Sequence, residues 1–166
     1  DLAGTDSSGQ CTVTFTSATA GTVTGHVSVT LSVGGLSVTR TAGSTTPGAG
    51  TAVKTFVAGS LAWTKVDNAG VLQGGATFQV CRTHNFNSDT LAFDDITDAC
   101  VTVADDVLND TPDVTTPDVD NDAGEFSLTG LRLGRYTVTE TIAPAGFQAD
   151  PDTVTRDLSL ASPNAT

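Results

Sequence analysis

Two ionisable residues stand where apolar side chains are expected. In SLAWTKVD, residues 60–67, strict alternation puts Leu61, Trp63 and Lys65 on one face of a strand. In RYTVTETI, residues 135–142, it puts Tyr136, Val138, Glu140 and Ile142 on one face. Periodicity thus points an amine and a carboxyl toward a core, and a buried ion is costly unless it is paired or neutralised. The plainer reading is that each residue sits at a strand end, where the pleat fades and the side chain reaches water.

Other residues that could do chemistry are cysteines, clustered carboxylates and histidines. Cys11, Cys81 and Cys100 include no CxxC pair, which argues against a zinc ribbon or a thioredoxin-type dithiol. Cys81 and Cys100 each lie in an apolar β-type run, FQVC and ACVTV, with a polar stretch between them. A disulfide closing that stretch as a loop is expected; it implies an exported protein and stabilises the fold by about 3 kcal/mol on chain-entropy grounds. Cys11 is left over, either because its partner lies upstream of Asp1 or because it is a buried free thiol. Asp118, Asp120 and Asp122 alternate like the start of a calcium loop, since hard oxygens suit that ion. Gly124 falls one place too late for an EF-hand, however, and Thr129 occupies the position of its bidentate Glu, so a solvated acidic loop is the expectation and no metal or other cofactor is assigned. His26 and His84 have no nucleophile pattern beside them, and the Gly pairs of LQGGAT and SVGGLS precede no helix, which argues against a phosphate cradle. Asn109 and Asn164 head glycosylation-type triplets, which count only in a eukaryotic secretory route.

Composition narrows the classes further. The 166 residues carry 7 Lys+Arg against 19 Asp+Glu, a formal net charge of -12, so the electrostatic footprint of nucleic-acid or anionic-membrane binding is missing. Thr and Val dominate, residues that suit pleated, half-buried surfaces. No apolar run approaches the roughly 20 residues that span a bilayer, and no basic-then-apolar leader opens the chain. With no Met at all, the chain reads as a mature or excised piece of a longer precursor.

The elements that must position these residues are strands throughout. CTVTFTS, HVSVTLSV, LSVTR and TAVKTFV form an expected four-stranded sheet with one apolar face, Gly34-Gly35 turning a hairpin within it and residues 43–50 forming a flexible loop. Beyond Gly59, SLAWTKVD, ATFQVC, GEFSLTGL, RYTVTET and TVTRDLSL follow, with turns at Asp67–Gly70 and Pro144–Gly146 and a kink at Gly74-Gly75. Val154, Leu158 and Leu160 are expected to form the inner face of the last strand, which points Asp157 outward. No segment has helical periodicity, and the fold class is all-β, sandwich or partial barrel.

The wording of these strands resembles two known modules. TDSSGQCTVTFTSATAGTVTG is similar to the later strands of bacterial immunoglobulin-like repeats of surface proteins. WTKVDNAGVLQGGATFQV followed by GEFSLTGLRLGRYTVTETIAPAGF resembles the prealbumin-like pilin and adhesin domains of Gram-positive surface proteins, called SpaA or CnaB domains. A Lys before a polar turn, a Gly-Ala-aromatic strand, a Gly-aromatic hairpin and a Tyr-to-Gly-aromatic box occur in the family's order over residues 61–147. The implied organisation is tandem β-sandwich modules, a partial Ig-like repeat at 1–58 and a prealbumin-like domain at 59–166.

That resemblance implies a self-made intramolecular isopeptide bond. The lysine matching Lys65 attacks an Asn or Asp side chain on the last strand, and the acid matching Glu140 assists, because an amine and a carboxylic acid sharing an apolar site both favour their neutral forms. Asp157 points the wrong way and Asn164 is a weak candidate behind Pro163, so the acceptor is expected beyond Thr166. The expected role is a stalk or pilus-like module at the bacterial cell surface or wall, secreted, not an enzyme. Its partners are other surface-protein domains or copies of itself joined by strand donation. The alternative is a module that binds a host protein or glycan through the acidic loop at 105–122 or the Cys81–Cys100 insertion.

Overall fold

The computed structural model describes residues 7–8, 17, 19–41, 50–105 and 117–166. The expected strand at 11–17, Cys11, the loop at 43–49, Asn109 and most of the acidic run lie outside the described residues, apart from Ser17. The chain divides into two compact units, Asp1–Phe56 and Val57–Thr166.

In the first unit, β1 (Gly21–Gly25) pairs antiparallel with β4 (Ala52–Phe56), and β2 (Ser28–Val33) with β3 (Leu36–Thr41). Gly34 and Gly35 take φ of 59° and 82°, the positive values that a two-residue hairpin turn needs to match the strand twist. Among the described residues these are two separate ribbons, where one four-stranded sheet was expected. The strand at Thr22–Thr24 escaped the alternation reading because two glycines confine it to a few residues. Val27, Val29, Leu31 and Val33, the alternate residues that HVSVTLSV would turn to the sheet's apolar face, are 54 %, 40 %, 53 % and 62 % exposed, since a two-stranded ribbon by itself buries neither face.

The second unit is all-β, as expected. Its strands are β5 (Gly59–Thr64), β6 (Thr77–Asn87), β7 (Ala92–Ala104), β8 (Glu125–Leu131), β9 (Gly134–Ile142), β10 (Thr153–Leu158) and β11 (Asn164–Ala165). One sheet runs β10-β9-β6-β7 and the other β11-β5-β8. Their facing apolar residues make the core: Leu61, Phe126 and Leu128 from the smaller sheet meet Phe78, Val80, Val103, Tyr136, Val138 and Leu158 from the larger. Trp63 stacks on Phe126 at 5.0 Å between centroids, and Phe78 meets both rings edge-on. Asp105, also buried, ties the loops beneath, accepting hydrogen bonds from the amides of Gly75 at 2.7 Å and Gly124 at 2.9 Å.

Three expectations are corrected here. The segment between Cys81 and Cys100 is no loop: β6 and β7 continue through it as one antiparallel hairpin, with Phe86 opposite Phe93 and a turn in which the Asn87 side chain accepts from the amides of Asp89 and Thr90. β9 flanks β6 as far as Asn85, and beyond it the hairpin runs on as a two-stranded arm, where only alternate positions need be apolar. Val154 and Leu160 are 45 % and 46 % exposed, so Leu158 alone of that trio reaches the core. Ile142 is 60 % exposed because Phe78 pairs with Glu140 while Thr77 pairs with Ile142; the extra residue, Thr141, is a bulge that reverses the side-chain parity.

Candidate functional site

Lys65 and Glu140 meet. Lys65 directly follows β5, and its backbone is held on both sides: its amide donates to the Gly124 carbonyl at 2.8 Å, and its carbonyl accepts from the Gln73 amide at 2.9 Å. These bonds carry the line of β5 one residue further, so the face set by Leu61 and Trp63 still governs where Lys65 points. Glu140 is placed by the same period in β9, two residues after Val138 and opposite Phe78. The ammonium nitrogen of Lys65 donates to Glu140 Oε2 at 3.0 Å, with side-chain exposures of 19 % and 2 %. Neither side chain escapes to open water as the strand-end reading supposed.

The carboxyl of Glu140 is held asymmetrically. Oε2 also accepts from the Asp150 amide at 2.6 Å, whereas Oε1 is buried without a hydrogen-bond partner among the described residues. Trp63 Nε1 is likewise buried and unpartnered. Both residues line a cavity of about 600 Å³ whose floor is Leu61, Phe78, Phe126 and Val138. Asp120, Glu125, Asp150 and Asp152 make its lining acidic, opposed by Lys65 and Arg156.

This cavity follows an open strand edge. One edge of β5 is bonded to β8; along the other, β11 runs parallel to β5 and covers only Ser60 and Leu61, through Asn164 and Ala165. Ala62, Trp63 and Thr64 have no strand beside them there among the described residues. Asn164 is not brought to Lys65: its carboxamide oxygen accepts from the Ser60 hydroxyl at 2.8 Å, and the residue is exposed. Asp157 points outward in a two-pronged pair with Arg135, at 2.7 Å and 2.9 Å. That pairing holds the Asp157 carboxyl below the ordinary carboxylate range, against a smaller upward push from burial.

The remaining residues of interest have structural partners. Cys81 and Cys100 form the expected disulfide, on directly opposed positions of β6 and β7. Asp118 is buried and its Oδ1 accepts from the amides of Asp120 and Ser127, so it pins the segment before β8. The carboxylates that converge are those of Asp120, Asp122 and Glu125, within 4.8 Å of one another, so Glu125 stands where Asp118 was expected. His84 bonds Thr83 through Nδ1 and Asp95 through Nε2, both at 2.8 Å. The contributions that sequence reasoning missed are β11 and the Asp150 amide. Pro151, directly after Asp150, and Pro163, directly before Asn164, are the signals that could have marked ordered turns there.

A family model described as the SpaA prealbumin-like fold domain matches residues 59–162. Among solved structures, the chain is similar to the group B streptococcus pilus 2b backbone protein, at 18% identity and a TM-score of 0.43. That match covers 76% of this chain and 41% of the other. The Bacillus anthracis TIE protein is similar at 16% identity and a TM-score of 0.40, over 89% of this chain and 25% of that one. The chain thus spans less than half the length of either. No curated protein matches.

Proposed function

The chain belongs to the SpaA prealbumin-like fold family through residues 59–162, and from that premise we propose that it is a structural, non-enzymatic module of a bacterial surface protein or pilus-like filament, secured by a disulfide and by a lysine cross-link. The observation that carries this reading is the pair at the end of the cavity: Lys65 on Glu140, beside a strand edge that β11 leaves open. Cys81–Cys100 supports export, because disulfides persist outside the reducing cytoplasm. The first unit is read as part of an Ig-like repeat, joined in tandem.

The register of β11 supports one position for an acceptor. Asn164 lies opposite Ser60 and Ala165 opposite Leu61, so a strand continuing that line places its third residue after Thr166 opposite Lys65. Parity turns that residue toward the cavity, as it turns Ala165, which packs against the core. With a carboxamide there, the Lys65 nitrogen attacks the side-chain carbonyl carbon and a new C–N bond forms as the old one breaks. Glu140 passes a proton from the attacking nitrogen to the departing one, which leaves as ammonia. Such a segment is contributed from the same polypeptide or by a neighbouring copy, the second giving a filament by strand donation.

Appending a short β segment with Asn at that third place tests the reading. Intact mass lower by one ammonia, with Lys65 and the new Asn in one branched peptide, is the expected result. A full mass with the segment seated against β5 would overturn it.

A further inference from the structure

The two oxygens of Glu140 do not have the same surroundings, and the difference is built by a main-chain group. Oε2 receives Lys65 Nζ at 3.0 Å and the Asp150 amide at 2.6 Å; Oε1 is buried and receives nothing among the described residues. A carboxyl is two-fold symmetric about its last torsion, so an ion pair with lysine alone would not distinguish the oxygens. A second donor, aimed at one of them from a different element, does.

That donor is itself held. Pro151 restricts the residue before it to extended conformations, and the Asp150 side chain accepts from the Asp152 amide at 3.0 Å, closing a local turn just ahead of β10. The preceding segment is tied at its own start, where the Phe147 amide donates to the Pro144 carbonyl.

We propose that the Asp150 amide is a positioning group that divides the work of Glu140: Oε2 keeps the lysine, and Oε1 is reserved for the side chain that enters the cavity. This rests on the cross-linking reading and deepens it. With Oε2 already accepting two hydrogen bonds, a proton on the carboxyl resides on Oε1, which then donates to the incoming carbonyl oxygen as negative charge develops there. After ammonia leaves, the same oxygen accepts from the new amide N–H or donates to its carbonyl, so its lack of a partner ends once the bond is made. The Asp150 side chain closes the turn that aims the donor, and only the N–H makes the contact with Glu140.

Two substitutions test that donor. Asp150→Asn keeps the amide and a side-chain oxygen that can accept from the Asp152 amide, whereas Asp150→Pro removes the amide. In the chain extended with the Asn-bearing segment, the conservative Asp150→Asn is expected to cross-link at close to the parent rate and Asp150→Pro about 100-fold more slowly, as expected for a misplaced catalytic group. The segment should remain seated in both, read from Trp63 fluorescence, so that the loss falls on the bond-forming step. Equal rates, or a loss in Asp150→Pro that follows release of the segment, would overturn the assignment. Should the parent form no bond at all, the functional reading fails and the positioning claim is judged by NMR. The Asp150 amide proton should then be downfield and slow to exchange, and should move upfield in Glu140→Ala; a freely exchanging amide unmoved by that change refutes the positioning role.

Discussion

Lys65 Nζ sits 3.0 Å from Glu140 Oε2 across 75 residues of sequence, with the carboxylate side chain almost wholly removed from water. A pair so placed is costly to make and more costly to break, because a lone survivor is a buried charge. Lys65→Met is therefore expected to destabilise the unlinked second unit by about 3 kcal/mol, and the double variant Lys65→Met/Glu140→Leu to recover most of that loss. Urea denaturation of the three proteins checks it; equal losses in single and double variants would mean that the pair is not coupled.

The disulfide joins directly opposed positions of one hairpin, Cys81 on β6 and Cys100 on β7. It closes a separation of 19 residues, so replacing both cysteines with Ala should cost about 3 kcal/mol by the loop-entropy argument. The hairpin ladder persists without it, and the expected outcome is a lower melting temperature with an unchanged far-UV spectrum.

Gly134 opens β9 against the backbone of β6. A Cβ built there would overlap the His84 carbonyl oxygen and lie 3.1 Å from Arg82 Cδ. Backbone cannot yield as a side chain does, so Gly134→Ala is expected to destabilise by about 2 kcal/mol, in the range of overpacked sites. Thermal unfolding reads it, and a neutral effect would show that β6 and β9 can part at that point.

Tyr136 is the single tyrosine of the chain, and burial raises its hydroxyl above the ordinary 10.0, with Arg82 and Arg132 pulling the other way. The hydroxyl also donates to the Arg132 carbonyl at 2.7 Å. A raised folded value means that the neutral form is favoured by the fold. Its stabilising effect is complete below 10.0 and is lost as pH climbs from there through the folded value. Phenolate absorbance should titrate above 10.0 in the native protein and fall to the ordinary value in denaturant.

Asp157 gives the opposite sign. Its hydrogen bonds from Arg135 lower its folded value below the ordinary 3.8, so the stability it contributes is present above 3.8 and is lost as pH falls through the folded value. The pair is substantially exposed, and salt and water screen it, so Asp157→Asn should change stability by less than about 1 kcal/mol at neutral pH. The difference between variant and parent should vanish in strong acid. A difference that instead grew on acidification would contradict the assignment.

Alternation along short runs was enough to establish an all-β fold class and to set Lys65 with Trp63 and Glu140 with Tyr136. Those features depend on a period of two, which each strand carries in its own residues. Only the tertiary structure decided that Lys65 and Glu140 touch, that the polar stretch between the cysteines is a hairpin arm, and that Asn164 is engaged by Ser60 in a parallel strand of two residues. It also decided that Thr141 bulges and turns Ile142 outward, and that the Asp150 amide separates the two oxygens of Glu140. Each of these is set by the register between distant segments or by a main-chain group, and neither leaves a mark on the local pattern, because strand pairing energies depend on which neighbour arrives and at what offset.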